Sequence, residues 1–201
     1  MQVNNLFRVN SIMNIGELLT SWTIWIALAV YFAGLAGLLL CRLHPNLQSV
    51  TRLVWTVGCV FYLGHVVSAF QFYHEWSHQA AVFETARQTK EVVGQAVGSG
   101  IYMTYLFTLI WVLDVAWWWL NGNAGYFKRQ KIFSLSIHFF LLFIVFNGTI
   151  VFEAGLLRLL SALAIIGLVI IWGYTHKYRS RSNSADRSSF KKLSLTQTEK
   201  M

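Results

Sequence analysis

Between positions 65 and 114 this chain gathers most of its residues able to do chemistry. His74, Glu75, Trp76, Ser77 and His78 are consecutive, and two imidazoles four positions apart sit one above the other on a helix, where both reach one metal ion. The same region adds His65, Glu84, Arg87 and Glu91, and Glu153 joins them from a later turn. His65 and His74 lie about 180° apart around a straight helix, so they share an ion only if the helix breaks between them. Arg87, beside Thr85 and Thr89, is a candidate ligand for an anion. The simpler reading pairs it with Glu84 and Glu91 at helical spacings of three and four.

Ionisable groups within apolar stretches form a second set: His65, Asp114, His138 and, at an edge, Glu153. Each costs a few kcal/mol in hydrocarbon unless paired or hydrated, which makes it a functional candidate. Counting about 1.5 Å per residue from the span ends puts His65 in the outer half of the bilayer, and Asp114 and His138 together in the inner half. If their helices lie side by side, Asp114 and His138 meet. The pair then fixes the register of the two helices, or, less simply, relays a proton or holds a ligand. A haem held between His65 and His138 is disfavoured, because their depths differ by roughly 10 Å.

Positioning these residues falls to a strongly apolar chain. Of 201 residues, 56% are hydrophobic, 16% aromatic and only 12% charged, with a single proline, a composition suited to a bilayer. Five stretches at 21–43, 50–73, 101–120, 132–152 and 156–174 each approach the roughly 20 residues needed to cross the hydrocarbon. The fold expected is an all-α integral membrane bundle of five spans over residues 1–176. No Gly or Pro interrupts residues 65–93, so the second span is predicted to run on as an outer amphipathic helix over 74–93. Residues 1–19 show no cleavage pattern and read as a short external tail. Trp117, Trp118 and Trp119 close the third span as an interfacial belt. Ala29, Ala33 and Gly37 make a small-residue strip on the first span, a surface for close packing and for a membrane-protein partner.

The net charge of +8 is a signal of orientation. Twelve of the sixteen basic residues fall at Arg42 and Arg52, at Lys128, Arg129 and Lys131, and in the tail from Lys177, which are alternate connections. The positive-inside bias makes these cytoplasmic, with the amino terminus outside and the carboxyl terminus inside a plasma or bacterial inner membrane. No nucleic-acid partner follows from the charge. The Ser-rich, basic residues 177–201 are expected to be a disordered cytoplasmic tail near anionic lipid. Cys41 and Cys59 have no paired framework around them and read as packing residues.

The residues from His74 to His78 resemble the His-Glu-x-x-His motif of zinc metallopeptidases, over a short segment that reaches only to Glu84. The resemblance implies zinc held by His74 and His78, with Glu75 as the general base on the zinc-bound water. Glu84 falls where the extended motif has its third ligand, while Ala81 stands where that motif has glycine. A membrane-embedded peptidase is the alternative function. The leading reading is a multi-pass membrane scaffold, sensor or assembly component with an outward His and Glu cluster able to bind zinc or another transition metal, because short connections leave little chain for a substrate cleft.

Overall fold

A computed structural model of the chain describes residues 2–152 and 155–198. The regular elements among them are all helical: α1 (Gln2–Leu40), a 3-10 turn (Pro45–Leu47), α2 (Gln48–Phe72), α3 (His78–Val93), α4 (Gly100–Lys128), α5 (Lys131–Phe146), a π-helical turn (Asn147–Val151) and α6 (Gly155–Thr198). Five stretches are long and apolar enough to cross a membrane: Ile15–Leu40, Pro45–Phe72, Gly100–Lys128, Lys131–Val151 and Gly155–Tyr178. Glu153 lies outside the described residues.

The helices differ in extent from the sequence expectation at four places, each for a local reason. α1 begins at Gln2, where an external tail is expected; no Gly or Pro occurs before Gly16 to stop it. α6 continues to Thr198 through the stretch expected to be disordered. A helix already nucleated in the span propagates more cheaply than one begun anew, and no Gly or Pro follows Gly173. α4 runs past 120 to Lys128 but is broken at Gly122 (φ 63°, ψ −176°), a conformation essentially reserved for glycine. The fourth difference is the separation of α2 from α3, which reshapes the candidate site.

Aromatic side chains from three helices fill the centre. Tyr31 of α1, Trp55 of α2 and Trp111 of α4 are buried in mutual contact, with ring centroids 5.3–5.4 Å apart. Tyr62 and Phe107 extend the column toward α3. In lipid no hydrophobic effect drives helices together, so contact depends on close packing. α1 and α2 achieve it through glycine: a Cβ on Gly34 would stand 2.7 Å from Trp55 Cε3, and one on Gly37 would stand 2.7 Å from Thr51 Oγ1. Of the expected small-residue strip only Gly37 takes part, since Ala29 and Ala33 are exposed. The packing face is rotated toward Ala27, Tyr31 and Gly34, where Tyr31 reaches the two tryptophans. α6 is the span least covered by the rest of the chain, with 6% of its apolar window buried against 22% for α1, α2 and α4. Its long sides are therefore open on the surface of the bundle.

Candidate functional site

The helix predicted to carry His74 and His78 on one face is interrupted. α2 ends at Phe72, Glu75 (φ 46°) and Trp76 (φ 57°) take left-handed backbone, and Ser77 caps α3 by accepting a hydrogen bond from the Ala80 amide at 3.3 Å. The amides of Tyr73 and His74 both donate to the Ala69 carbonyl, and that of Trp76 to the Phe70 carbonyl. These bonds satisfy the end of α2 and turn the chain back. Left-handed backbone is uncommon away from glycine, which is why a search for Gly and Pro overlooks this break. The available signal is Ser77 as a helix cap before the amphipathic run His78–Val93.

The break places the three expected metal ligands in different settings. His78 opens α3, where its Nδ1 lies 3.0 Å from the Tyr105 hydroxyl and its Nε2 lies 3.3 Å from that of Tyr102. It ties α3 to α4. Glu75 is exposed on the turn. Glu84 is held by Arg87, which donates Nε to Oε2 at 3.0 Å and Nη2 to Oε1 at 2.6 Å, while Gln88 donates to Oε1 at 3.0 Å. Arg87 also donates to Glu91 at 2.7 Å, so its guanidinium is engaged by two carboxylates. The bonds from Arg87 hold the Glu84 carboxyl below its usual range, and Glu84 in turn raises Arg87. Among the described residues no group of three or more His, Cys, Asp or Glu is arranged to hold a metal ion.

What the break creates instead is a pocket. α3 folds over the end of α2 and the start of α4, leaving a half-open pocket of about 250 Å³ lined by His65, Phe70, His74, Glu84, Thr85 and Tyr105 among others. His65 Nδ1 is 2.9 Å from the carbonyl oxygen of Thr20. That oxygen only accepts, so Nδ1 carries the proton and Nε2 is an acceptor on a ring that lines the pocket. His74 Nδ1 is buried without a hydrogen-bond partner, and its ring meets Phe70 edge to face at 5.3 Å.

Burial pushes the His74 imidazole below its ordinary range, with the Glu84 charge opposing in part. An unfolded chain takes up this proton near pH 6.5, whereas the folded pocket resists it, so the contribution of His74 to stability is present above about pH 6.5 and falls as pH drops through it. Amide protection across α3, corrected for the intrinsic exchange rate at each pH, is therefore expected to fall between pH 7.5 and pH 5.5. His74→Gln should flatten that dependence; an equal fall in both proteins would assign it elsewhere.

A second polar site lies at the opposite end of α2. Asp114 is buried, and its Oδ1 accepts from Arg129 Nη1 at 2.6 Å while its Oδ2 accepts from Trp55 Nε1 at 3.0 Å and from the Tyr126 hydroxyl at 2.9 Å. The ion pair is nearly sealed, with side-chain exposures of 0% for Asp114 and 5% for Arg129. Arg129 also donates to Ser134 Oγ at 3.1 Å and lies 4.5 Å over the Tyr126 ring. Asp114 and His138 are not directly bonded. They meet through Tyr126, whose hydroxyl is 3.4 Å from His138 Nε2, while His138 Nδ1 donates to the Ser134 carbonyl at 2.7 Å.

The break at Gly122 builds this cluster. It returns the chain so that Tyr126 stacks on Trp118 at 3.9 Å and Arg129 reaches back to Asp114. Trp118 is correspondingly fully buried, with its indole nitrogen bonded to Asn123 at 3.0 Å. Of the expected belt, Trp117 and Trp119 are the half-exposed members. Sequence reading identifies Asp114 and His138 but misses Trp55, Tyr126 and Arg129, because Arg129 also fits as one of the positive charges of a connection.

Five helices able to cross a bilayer, polar side chains paired at both ends of α2 and an outer surface rich in exposed Leu, Ile, Val, Phe and Trp are compatible with a multi-pass membrane protein. No protein-family model matches the chain, and no curated protein or solved structure matches it.

Proposed function

We propose that this protein is a membrane sensor or assembly component that receives a small molecule in the pocket under α3. The reading is carried by one observation: the break after α2 brings His65, His74 and Glu84 to a single cavity and leaves the buried His74 Nδ1 without a partner. A buried polar atom left unsatisfied costs about 1–3 kcal/mol, which a ligand completing the bond recovers. A peptidase reading is served less well, because Glu75 and His78 point to separate tasks, one on an exposed turn and the other bonded to two tyrosines. The distribution of positive charge supports a pocket facing outward with the basic carboxyl-terminal region in the cytoplasm.

Native mass spectrometry of protein extracted in mild detergent tests this. A small molecule is expected to accompany the wild type and the Glu75→Gln variant, and to be lost from His65→Ala and from Ile101→Trp, which fills the cavity. An empty wild type that also binds nothing from a lipid extract would contradict the reading. Orientation is tested separately by cysteine labelling, which should place positions 88 and 184 on opposite sides of the membrane.

A further inference from the structure

The pocket is specific about what it would hold. Its volume of about 250 Å³ exceeds the roughly 150 Å³ cavity that admits benzene and falls short of the roughly 300–1,000 Å³ of sites for drug-sized ligands. A single substituted ring fits. Tyr62, Val66, Phe70 and Ile101 offer it apolar and aromatic walls, against which a ring packs by stacking or edge contact.

Charge narrows the choice further. Glu84 is the one carboxylate in the lining, and both of its oxygens are occupied by Arg87 and Gln88. Arg87, the guanidinium bonded to Glu84, is also engaged by Glu91. Neither an anion nor a cation finds an uncommitted partner in this set, so the complementary ligand is neutral. His65 then sets the direction of its hydrogen bond. Because Nδ1 donates to the Thr20 carbonyl, Nε2 offers a lone pair and requires an O–H or N–H from the ligand. His74 lines the same pocket, with its Nδ1 buried and unpartnered. Position matters as well: His65 lies within the apolar stretch Pro45–Phe72 and His74 just beyond it, so the cavity straddles the end of a span.

We infer that the pocket under α3 binds a hydroxylated aromatic ring of the quinol type, whose hydroxyl donates to His65 Nε2; this rests on the pocket being the receiving site proposed above. A quinone carries only acceptor oxygens and places one against the imidazole lone pair. The reduced ring is therefore preferred to the oxidised one. No electron transfer is implied, since the discrimination is one of hydrogen-bond donors.

The test uses the full chain in phosphatidylcholine nanodiscs under anaerobic conditions, titrated calorimetrically with a decyl-substituted benzoquinol, with its quinone and with tail-less hydroquinone. The decyl quinol is expected to bind about tenfold or more tightly than its quinone, the scale of one unmade hydrogen bond at a buried group. His65→Ala should abolish that preference, and Ile101→Trp, which leaves His65 in place, should abolish ring binding altogether. Tighter binding of the tailed compound would identify a membrane-borne ligand, and equal binding of the tail-less ring a water-borne one; both support the assignment. Quinone binding as tight as quinol, or a preference that survives in a folded His65→Ala protein, would overturn it. If neither ring binds while another molecule accompanies the wild type in native mass spectra, the ligand class fails and the receiving pocket stands; if nothing binds by either method, both fail.

Discussion

Arg129→Met is expected to destabilise the folded protein by about 3–5 kcal/mol, the cost of breaking a sealed ion pair by removing one partner. The loss arises less from the missing attraction than from what remains. Asp114 would keep a buried carboxylate with two neutral donors, Trp55 and Tyr126, and no counter-charge. Arg129 also bonds Ser134 of α5 and lies over the Tyr126 ring, so its removal loosens the turn joining α4 to α5. Adding Asp114→Leu to the same chain should restore much of the stability, because a buried pair replaced by apolar side chains is often neutral. Unfolding by dodecyl sulfate titration in micelles measures the wild type, Arg129→Met, Asp114→Leu alone and the double variant. A double variant as unstable as the sum of the singles would show that the two charges act independently.

Trp55→Ala is expected to cost a similar 3–5 kcal/mol or so, through a cavity at the point where three helices meet. Trp55 is wholly buried, touches Tyr31, Trp111 and His138 through its ring, and donates its indole N–H to Asp114. Trp55→Phe separates these two roles. It keeps most of the ring contact and removes the donor, so it should lose only about 1.5–3 kcal/mol, the range for a hydrogen bond to a charged group. In the Arg129→Met, Asp114→Leu background the indole has no carboxylate to serve, and Trp55→Phe should there be milder. The same unfolding assay reads this coupling, and an unchanged cost would mean that Trp55 acts through packing alone.

Features governed by local spacing were legible in the sequence. Five apolar stretches followed from length and composition, and Arg87 could be paired with Glu84 and Glu91 by helical spacing. Counting residues from the span ends put Asp114 and His138 on one level. What escaped depends on backbone that few residue types advertise. Glu75 and Trp76 hold left-handed conformations stabilised by hydrogen bonds to the end of α2, and neither residue type signals a turn. Without that break the His74 and His78 spacing reads as a metal grip; with it, the same residues become a pocket wall and a tie to two tyrosines. Gly122 was visible as a glycine, but not as the point where the chain returns. Arg129 consequently read as an orientation signal, when its side chain is the counter-ion of Asp114. A basic residue at a span end satisfies both readings, and only the path of the backbone distinguishes them.

The receiving pocket exists only if α3 folds back across the ends of α2 and α4, and cross-linking measures that most directly. Ala69 and Gln88 both line the cavity, whereas a continuous helix would hold them about 28 Å apart at 1.5 Å per residue. With Cys41 and Cys59 replaced, Ala69→Cys and Gln88→Cys are introduced together and treated in membranes with a bismaleimide spanning about 10 Å, well short of that separation. The folded-back pocket predicts an efficient link within one chain, slowed when ligand occupies the cavity. No intramolecular link, together with a spin-label separation near 28 Å, the length of the uninterrupted helix, would contradict it.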